Sequence, residues 1–297
     1  MSTQRQHAPF ITAVLGLILS AAVCAEPIRT VTWNMEWFPG GRPYASKEER
    51  ADQTKGAVKI IEKLAPQILL AQELTYEKAF VDLVKEVPGM KVDVFSKFLD
   101  PQTGKPGPQQ CAIASTLKAN SAWFEDFAPT ENLPNLRRGF AFAALEHPDG
   151  GLMMVYSVHL KSNRGSETPE GEQDVANTRA ESVKQLIAHK AAMEKKFAGE
   201  EIVGWLIAGD FNTNDDGQFT KCTVVKDLVA AGFHNTWDET PKEQRLTWRN
   251  DPKDTRFKPT TFDYMMTIGF KEKQAKAFTD VPLDISDHLP VMLLLEK

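Results

Sequence analysis

The chain has 297 residues, 42% hydrophobic and 25% charged, with 18 Gly and 18 Pro, which is the composition of a globular protein with enough apolar residues for a sizeable core. Its 35 basic and 40 acidic residues give a net charge of -5. That excludes a polycation holding nucleic acid through its global field, so any such contact must come from a local basic patch or a metal. No repeat, low-complexity tract or linker-like shift divides the chain, and it reads as one domain.

Arg5 and His7 precede an apolar run from Phe10 to Val23 that ends in Val23-Cys24-Ala25. The run is short for a bilayer span and reads as a signal peptide (1–25) cleaved after Ala25. Val23 is not the small residue that a lipoprotein signal places before its cysteine. The expectation is an exported chain, periplasmic or secreted, with its domain at 26–297 and no stable membrane anchor after cleavage. Losing Arg5 leaves 34 basic against 40 acidic residues, a net charge of -6. Cys111 and Cys222 are then the remaining cysteines; an oxidising compartment permits a bridge, while small buried residues are the commoner reading.

From Ile28 to Met35 the pattern is a strand delivering Asn34 and Glu36 on one face. Ser46 and Glu49 form a capping box for a helix reaching Leu64, with Val58, Ile61 and Leu64 at helical spacing. Pro66 stops it, and a buried strand from Gln67 to Ala71 delivers Gln72-Glu73. A helix from Glu77 to Val87, the turn Pro88-Gly89 and a strand from Lys91 to Phe98 follow; Asp100 to Gln109 is a surface loop. Cys111 to Leu117, Ala122 to Phe127, Gly139 to Leu145 and Leu152 to His159 read as antiparallel strands, with Asp149-Gly150-Gly151 as a hairpin turn. Asn163 to Gln173 is a polar loop, and a long helix runs from Asp174 towards Phe197.

Trp205 to Ala208 reads as a short buried strand, turned sharply by Gly209 so that Asp210 and Asn212 point the same way. A helix from Phe219 to Ala231, an irregular charged segment from Glu239 to Thr260 and strands at Thr261 to Ile268 and Leu289 to Leu295 complete the chain. Asn34, Glu36, Glu73, His159, Asp210, Asn212, Asp263, Asp287 and His288 thus gather near strand ends. So many carboxylates and amides suit a hard divalent cation, Mg²⁺ or Mn²⁺, and the absence of cysteine argues against structural zinc.

Asn-x-Glu, Gln-Glu, Ser-x-His-Leu, Gly-Asp-Phe-Asn, Asp-Tyr and Ser-Asp-His-x-Pro-Val, in this order from Ile28 to Leu295, resemble the endonuclease/exonuclease/phosphatase superfamily, the deoxyribonuclease I type above all. The resemblance implies a four-layer α/β sandwich, with two mixed β-sheets packed face to face and helices outside. It implies divalent-metal-dependent hydrolysis of phosphoesters. Glu73 should bind the metal, with Asn34, Glu36 and Asp287 close to metal or phosphate. Asp210 and Asn212 should position the attacking water, Asp263 should hold His288, and His159 should protonate the leaving oxygen or stabilise the phosphate.

Histidine at 159 is unlike the abasic-site repair branch, and Pro259-Thr260-Thr261-Phe262-Asp263-Tyr264 lacks the inositol-phosphatase signature. Trp37-Phe38 is a poor membrane-docking hairpin for a sphingomyelinase. Arg137 and Arg138 stand where a nuclease places phosphate-binding arginines, a solvated pair being the equal alternative, whereas Gln109-Gln110 replaces a tyrosine found in several nucleases. Arg245, Arg249, Lys253, Arg256 and Lys258, interleaved with Trp248 and Phe257, read equally as a strand-binding loop or a solvated one. The expected activity is a nuclease acting on DNA or RNA as a monomer, the alternative a hydrolase of small or lipid phosphoesters. A non-catalytic binding module on the same fold is the third reading, opposed by the complete residue set.

Overall fold

The computed structural model of the chain describes residues 26–250 and 258–297. The expected signal peptide, and Lys253, Arg256 and Phe257 of the basic segment, lie outside the described residues. In chain order the elements are β1 (Ile28–Phe38), α1 (Lys47–Leu64), β2 (Ile68–Leu74), α2 (Glu77–Val84), β3 (Lys91–Phe95), β4 (Leu99–Asp100), β5 (Lys105–Pro106), β6 (Gln110–Ser115), β7 (Ala119–Asp126) and β8 (Gly139–Glu146). They continue with β9 (Leu152–His159), α3 (Pro169–Lys196), β10 (Ile202–Asp210), α4 (Val224–Ala230), β11 (His234–Asn235), β12 (Asp263–Ile268), β13 (Lys271–Glu272), β14 (Lys276–Ala277) and β15 (Val291–Glu296).

Two mixed sheets form the middle. One runs β13-β15-β1-β2-β6-β3, with β14 also on β15, and the other runs β11-β12-β10-β9-β8-β7. Each has one parallel pair at its centre, β1 with β2 and β9 with β10, and antiparallel neighbours around it. Central strands such as Leu152–His159 are buried along their whole length, because both faces of each sheet are covered. Where β2 meets β9, Gln72 Nε2 donates to Ser157 Oγ at 3.0 Å and so satisfies a buried amide between the sheets.

Outside the first sheet, α1 lies against β1 and α2 against β3. Outside the second, α3 brings His189 Nδ1 to within 2.9 Å of the Tyr156 hydroxyl, and its Lys196 ammonium lies over the Trp123 ring. The expected four-layer sandwich is therefore the observed fold. Among the described residues, no helix is long and apolar enough to cross a membrane. Both described cysteines are free.

Local chemistry accounts for the agreements and the shifts. Ser46 caps α1 as anticipated, accepting from the Glu49 N–H while Glu49 accepts from Ser46 N. The long helix starts at Pro169, earlier than the expected Asp174, because Thr168 caps Gly171 N and proline is suited to the first helical position. Phe219 does not begin α4; its ring packs on Phe262 and under the Arg179 guanidinium. The loop expected at Asp100 to Gln109 contains the small β4–β5 ribbon. Gly209 is not a turn either. It sits inside β10, where a Cβ would lie 1.9 Å from Val158 O, so the close approach of two parallel strands requires it.

Candidate active site

Strand register brings the polar residues together. Parallel pairing of β10 with β9 sets Asp210 opposite His159, and antiparallel pairing with β12 sets Asp210 opposite Asp263. From the facing sheet, β1 and β2 contribute Asn34 and, one residue past its partner Gln72, Glu73. Just before β15, Ser286 Oγ donates to Asn34 O and accepts from His288 N, fixing the Asp287-His288 turn against β1. Trp33 Nε1 adds a hydrogen bond to His288 O.

Asp210 is the hub, almost wholly buried at 1% exposure. Its Oδ2 accepts from Asn34 Nδ2 at 3.0 Å and Asn212 Nδ2 at 2.9 Å, and its Oδ1 from Asn212 N at 2.8 Å. The Nε2 atoms of His159 and His288 lie 3.3 and 3.8 Å from Oδ2. Burial opposes a charge here, but His288, His159 and the Asn212 amide outweigh it and hold the carboxyl below the usual carboxylate range. This group is an anion with a fixed orientation.

The two histidines are driven apart in charge. His288 Nδ1 is 2.8 Å from Asp263 Oδ2. Burial alone would favour neutral imidazole, yet Asp263, Asp210 and Asp287 hold its pKa well above the ordinary value. His159 has no such partner at Nδ1, which is buried without a protein hydrogen bond, while its Nε2 faces Asp210. Burial and the neighbouring Arg138 cation push its pKa down, against the pull of Asp210 and Glu73. At neutral pH the site therefore holds one imidazolium and one neutral imidazole.

Beside the hub is an acidic rim. Glu73 accepts from Asn34 Nδ2 at 3.2 Å and Trp37 N at 3.2 Å, while Glu36 Oε2 accepts from Asp287 N at 2.9 Å. Burial, then repulsion from Asp287 and Glu73, pushes Glu36 up to about 8. Burial also raises Asp287, against the pull of His288. Carboxylates supply the oxygen donors that a hard divalent cation takes. Glu73, His159 and Asp210 have ligand atoms within 4.8 Å of one another, as do Asp210, Asp263 and His288, whereas the rim residues Glu36 and Asp287 are in neither group.

Nine of the anticipated residues thus converge, although Asn34 behaves as a clamp, bonded to Glu73, Asp210 and Glu36 N at once. The arginines divide. Arg138 donates from one terminal nitrogen to the carbonyls of His159 and Leu160 and from the other to Gln109 Oε1, so it braces the end of β9. Arg137 is exposed and ion-paired with Asp100 at 2.7 Å. The strand-binding reading of the basic segment is corrected at two positions. Arg245 is buried against Asp216 and Trp237 O, and Arg249 donates to the carbonyls of Val281 and Ser286.

The roles of several site residues were not legible in the sequence. Trp248 Nε1 donates to Asp287 Oδ2 at 2.9 Å. Buried Gln53, on α1, donates to the carbonyls of Met35, Glu36 and Ile285 and so ties the Glu36 and Asp287 segments together. Arg179 on α3, 1% exposed, donates to Lys161 O and Asn163 Oδ1, and Asn163 Nδ2 donates to Asn212 O. Only an unusual polar residue on the apolar face of each helix could have pointed to Gln53 and Arg179.

No family model and no curated protein matches the sequence. Solved structures do resemble the fold. A mannosyl-6-phosphatase of Bacteroides thetaiotaomicron superimposes with a TM-score of 0.64 at 16% identity, over 91% of this chain and 100% of that one. An endonuclease/exonuclease/phosphatase of Beutenbergia cavernae gives 0.66 at 16% identity, over 92% of this chain and 72% of its own. Truncated TDP2 of Caenorhabditis elegans gives 0.63 at 15% identity, over 91% and 97%. The chain has the fold of the endonuclease/exonuclease/phosphatase proteins.

Proposed function

We propose that the chain is an exported, divalent-metal-dependent phosphodiesterase that cleaves nucleic acid. One observation carries the hydrolytic reading: a buried anion, Asp210, stands between a cationic and a neutral histidine, with Glu36, Glu73 and Asp287 beside it. Phosphoester hydrolysis needs an aligned water, neutralisation of phosphoryl oxygens and a proton source for the leaving group. A cation held by Glu73, Glu36 and Asp287 would polarise the phosphoryl group.

Asp210, held as an anion with each oxygen fixed by amide donors, aligns the attacking water. The water's proton passes to neutral His159 beside it as the new P–O bond forms, and the leaving oxygen takes a proton from charged His288 as the old one breaks. His288, charged and fixed by Asp263, faces the same carboxylate and neutralises phosphoryl charge. Neutral His159 lies between Glu73 and Asp210, where it hydrogen-bonds the water or a phosphoryl oxygen. Asn34 and Asn212 hold the carboxylates.

The test is hydrolysis of bis-p-nitrophenyl phosphate, plasmid DNA and RNA by purified protein with Mg²⁺, Mn²⁺ or EDTA. Metal-dependent turnover is expected, falling about 10²- to 10⁴-fold in Asp210→Asn and in His159→Ala. Turnover of none of these substrates would overturn the reading. A small phosphoester is the second reading, favoured by the mannosyl-6-phosphatase of similar fold and by a cavity of about 600 Å³ beside the site.

A further inference from the structure

Two cavities, of about 600 and 440 Å³, lie on either side of Trp37 and Pro108, which line both. Of the five large apolar side chains that are exposed among the described residues, three line these cavities: Tyr44 (98%), Tyr76 (49%) and Leu99 (47%). A surface otherwise sparing of exposed apolar groups has concentrated them in one groove.

Tyr44 is held there under strain. Its φ is +61°, a conformation rare for a bulky residue. It follows the Gly40-Gly41 turn, whose Gly40 N–H is held by buried Gln53, so the loop presenting it is anchored to the segment that carries Glu36. Tyr76 is stiffened by the Arg50 guanidinium, 4.9 Å from its ring centroid, while half of the side chain stays in solvent.

The groove is also cationic in an acidic chain. Arg42 and Arg50 line the smaller cavity, and Arg137, Arg138, Lys161 and Arg164 the larger. Lys161 Nζ donates to the carbonyls of Ser162 and Arg164, and burial with the neighbouring arginines pushes it down to about 8. Arg42 and Arg137 are tied to Glu49 and Asp100 by exposed ion pairs, which are weak and exchangeable for phosphate.

The reacting centre touches the groove at two points. Trp37 N donates to Glu73 Oε2, and Arg138 reaches the carbonyl of His159.

From these observations we infer that the groove binds single-stranded polynucleotide across the scissile phosphate, with unpaired bases stacking on Tyr44 and Tyr76 and flanking phosphates on the arginines and Lys161. The inference rests on the phosphodiesterase reading above and names its substrate. A duplex keeps its base faces stacked inside the helix and cannot offer them to tyrosines. A membrane is the poorer match: the neighbouring Phe38 is fully buried and Trp37 half-buried, so the segment offers no apolar wedge.

Fluorescence anisotropy in EDTA tests it, with a labelled 12-nucleotide single strand and a duplex of the same sequence. The single strand is expected to bind at least tenfold tighter than the duplex. Tyr44→Ala with Tyr76→Ala should weaken it at least tenfold, since base stacking contributes about 1–3 kcal/mol per base. Tyr44→Gly, which relieves the backbone strain, should lose affinity like Tyr44→Ala, whereas Tyr44→Phe and Tyr76→Phe should retain it. Equal affinity for the duplex, an alanine double variant that binds like wild type, or phosphatidylserine vesicles bound through the same tyrosines in place of the single strand would each overturn the inference. Hydrolysis of bis-p-nitrophenyl phosphate separates the two claims. Turnover with tyrosine-independent binding sinks the groove alone; its absence in the wild-type protein, with plasmid DNA and RNA also left intact, sinks the hydrolase.

Discussion

Asp263→Asn is the most informative single change, because it alters a charge and leaves a hydrogen-bonding side chain of the same size. At 2.8 Å from His288 Nδ1 and an effective dielectric of about 20, the carboxylate attracts the imidazolium by about 6 kcal/mol. That is about four pKa units, and even a third of it, after relaxation, moves His288 down by more than one. Asp210 and Asp287 remain beside the ring at 3.8 and 4.0 Å, so some elevation survives. The sign follows from the proton. Wild-type activity needs charged His288 and is lost only as pH rises through its elevated value; in the variant the same loss begins at lower pH. Initial rates on bis-p-nitrophenyl phosphate from pH 5 to 9 should show the alkaline limb displaced downwards by at least one unit, with the rate on that limb falling by up to about 10-fold per unit of displacement and recovering at pH 5 to 6. The elevated value also contributes stability that is full below about pH 6.5 and fades as pH rises through it, and in the variant that contribution should be smaller and fade at lower pH. An unmoved limb with a pH-independent loss of rate would refute the charged-histidine argument.

Two further changes test the fold, one at the far end of the first sheet and one beside the site. Asp93 has one carboxylate oxygen bonded to Ser115 Oγ at 2.6 Å and the other buried without a hydrogen bond, 4.0 Å from Lys91 Nζ, and burial pushes its pKa up to about 6. A carboxyl raised in the folded state costs stability increasingly as pH climbs from about 4 to 6, so Asp93→Asn should stabilise by about 1–2 kcal/mol at pH 7 and by nothing at pH 4, measured by urea unfolding. Gly209→Ala places a Cβ 1.9 Å from Val158 O at a φ of +145° and should destabilise by about 4 kcal/mol or more. A melting temperature within a few degrees of wild type would show that β9 and β10 can separate there.

The sequence announced the site better than it announced its supports. Asp210, Asp263 and His159 were legible because buried strands end in single polar residues, and the register of three neighbouring strands then places them side by side. Element boundaries were legible where a local signal existed, as at Ser46, and shifted where a cap outweighed the apolar pattern, as at Thr168. The failures share a cause. Arg249 looked free because its charge is visible in the sequence, while the carbonyls of Val281 and Ser286 that hold it are distant in the chain. Trp248 resembled a stacking residue for the same reason, although its indole N–H serves Asp287.

Backbone strain explains why so many buried polar clips are present. Glu36, Trp37, Glu73, Arg138 and Asn212 all have positive φ, at a cost of about 1–3 kcal/mol each, and all lie at the site or its rim. Such conformations persist only where the surroundings over-determine them. Asn34 Oδ1 holds Glu36 N, and Glu73 Oε2 holds Trp37 N. Asp210 Oδ1 and Asn163 Nδ2 hold the two sides of Asn212, while Arg138 is pinned by its own guanidinium on the carbonyls beyond His159. Each clip is itself a buried polar group, and it is satisfied only in this arrangement. The strain and its restraints therefore form one device. It brings polar side chains from separate strand ends to one place and holds the Asp210 carboxylate in a single orientation.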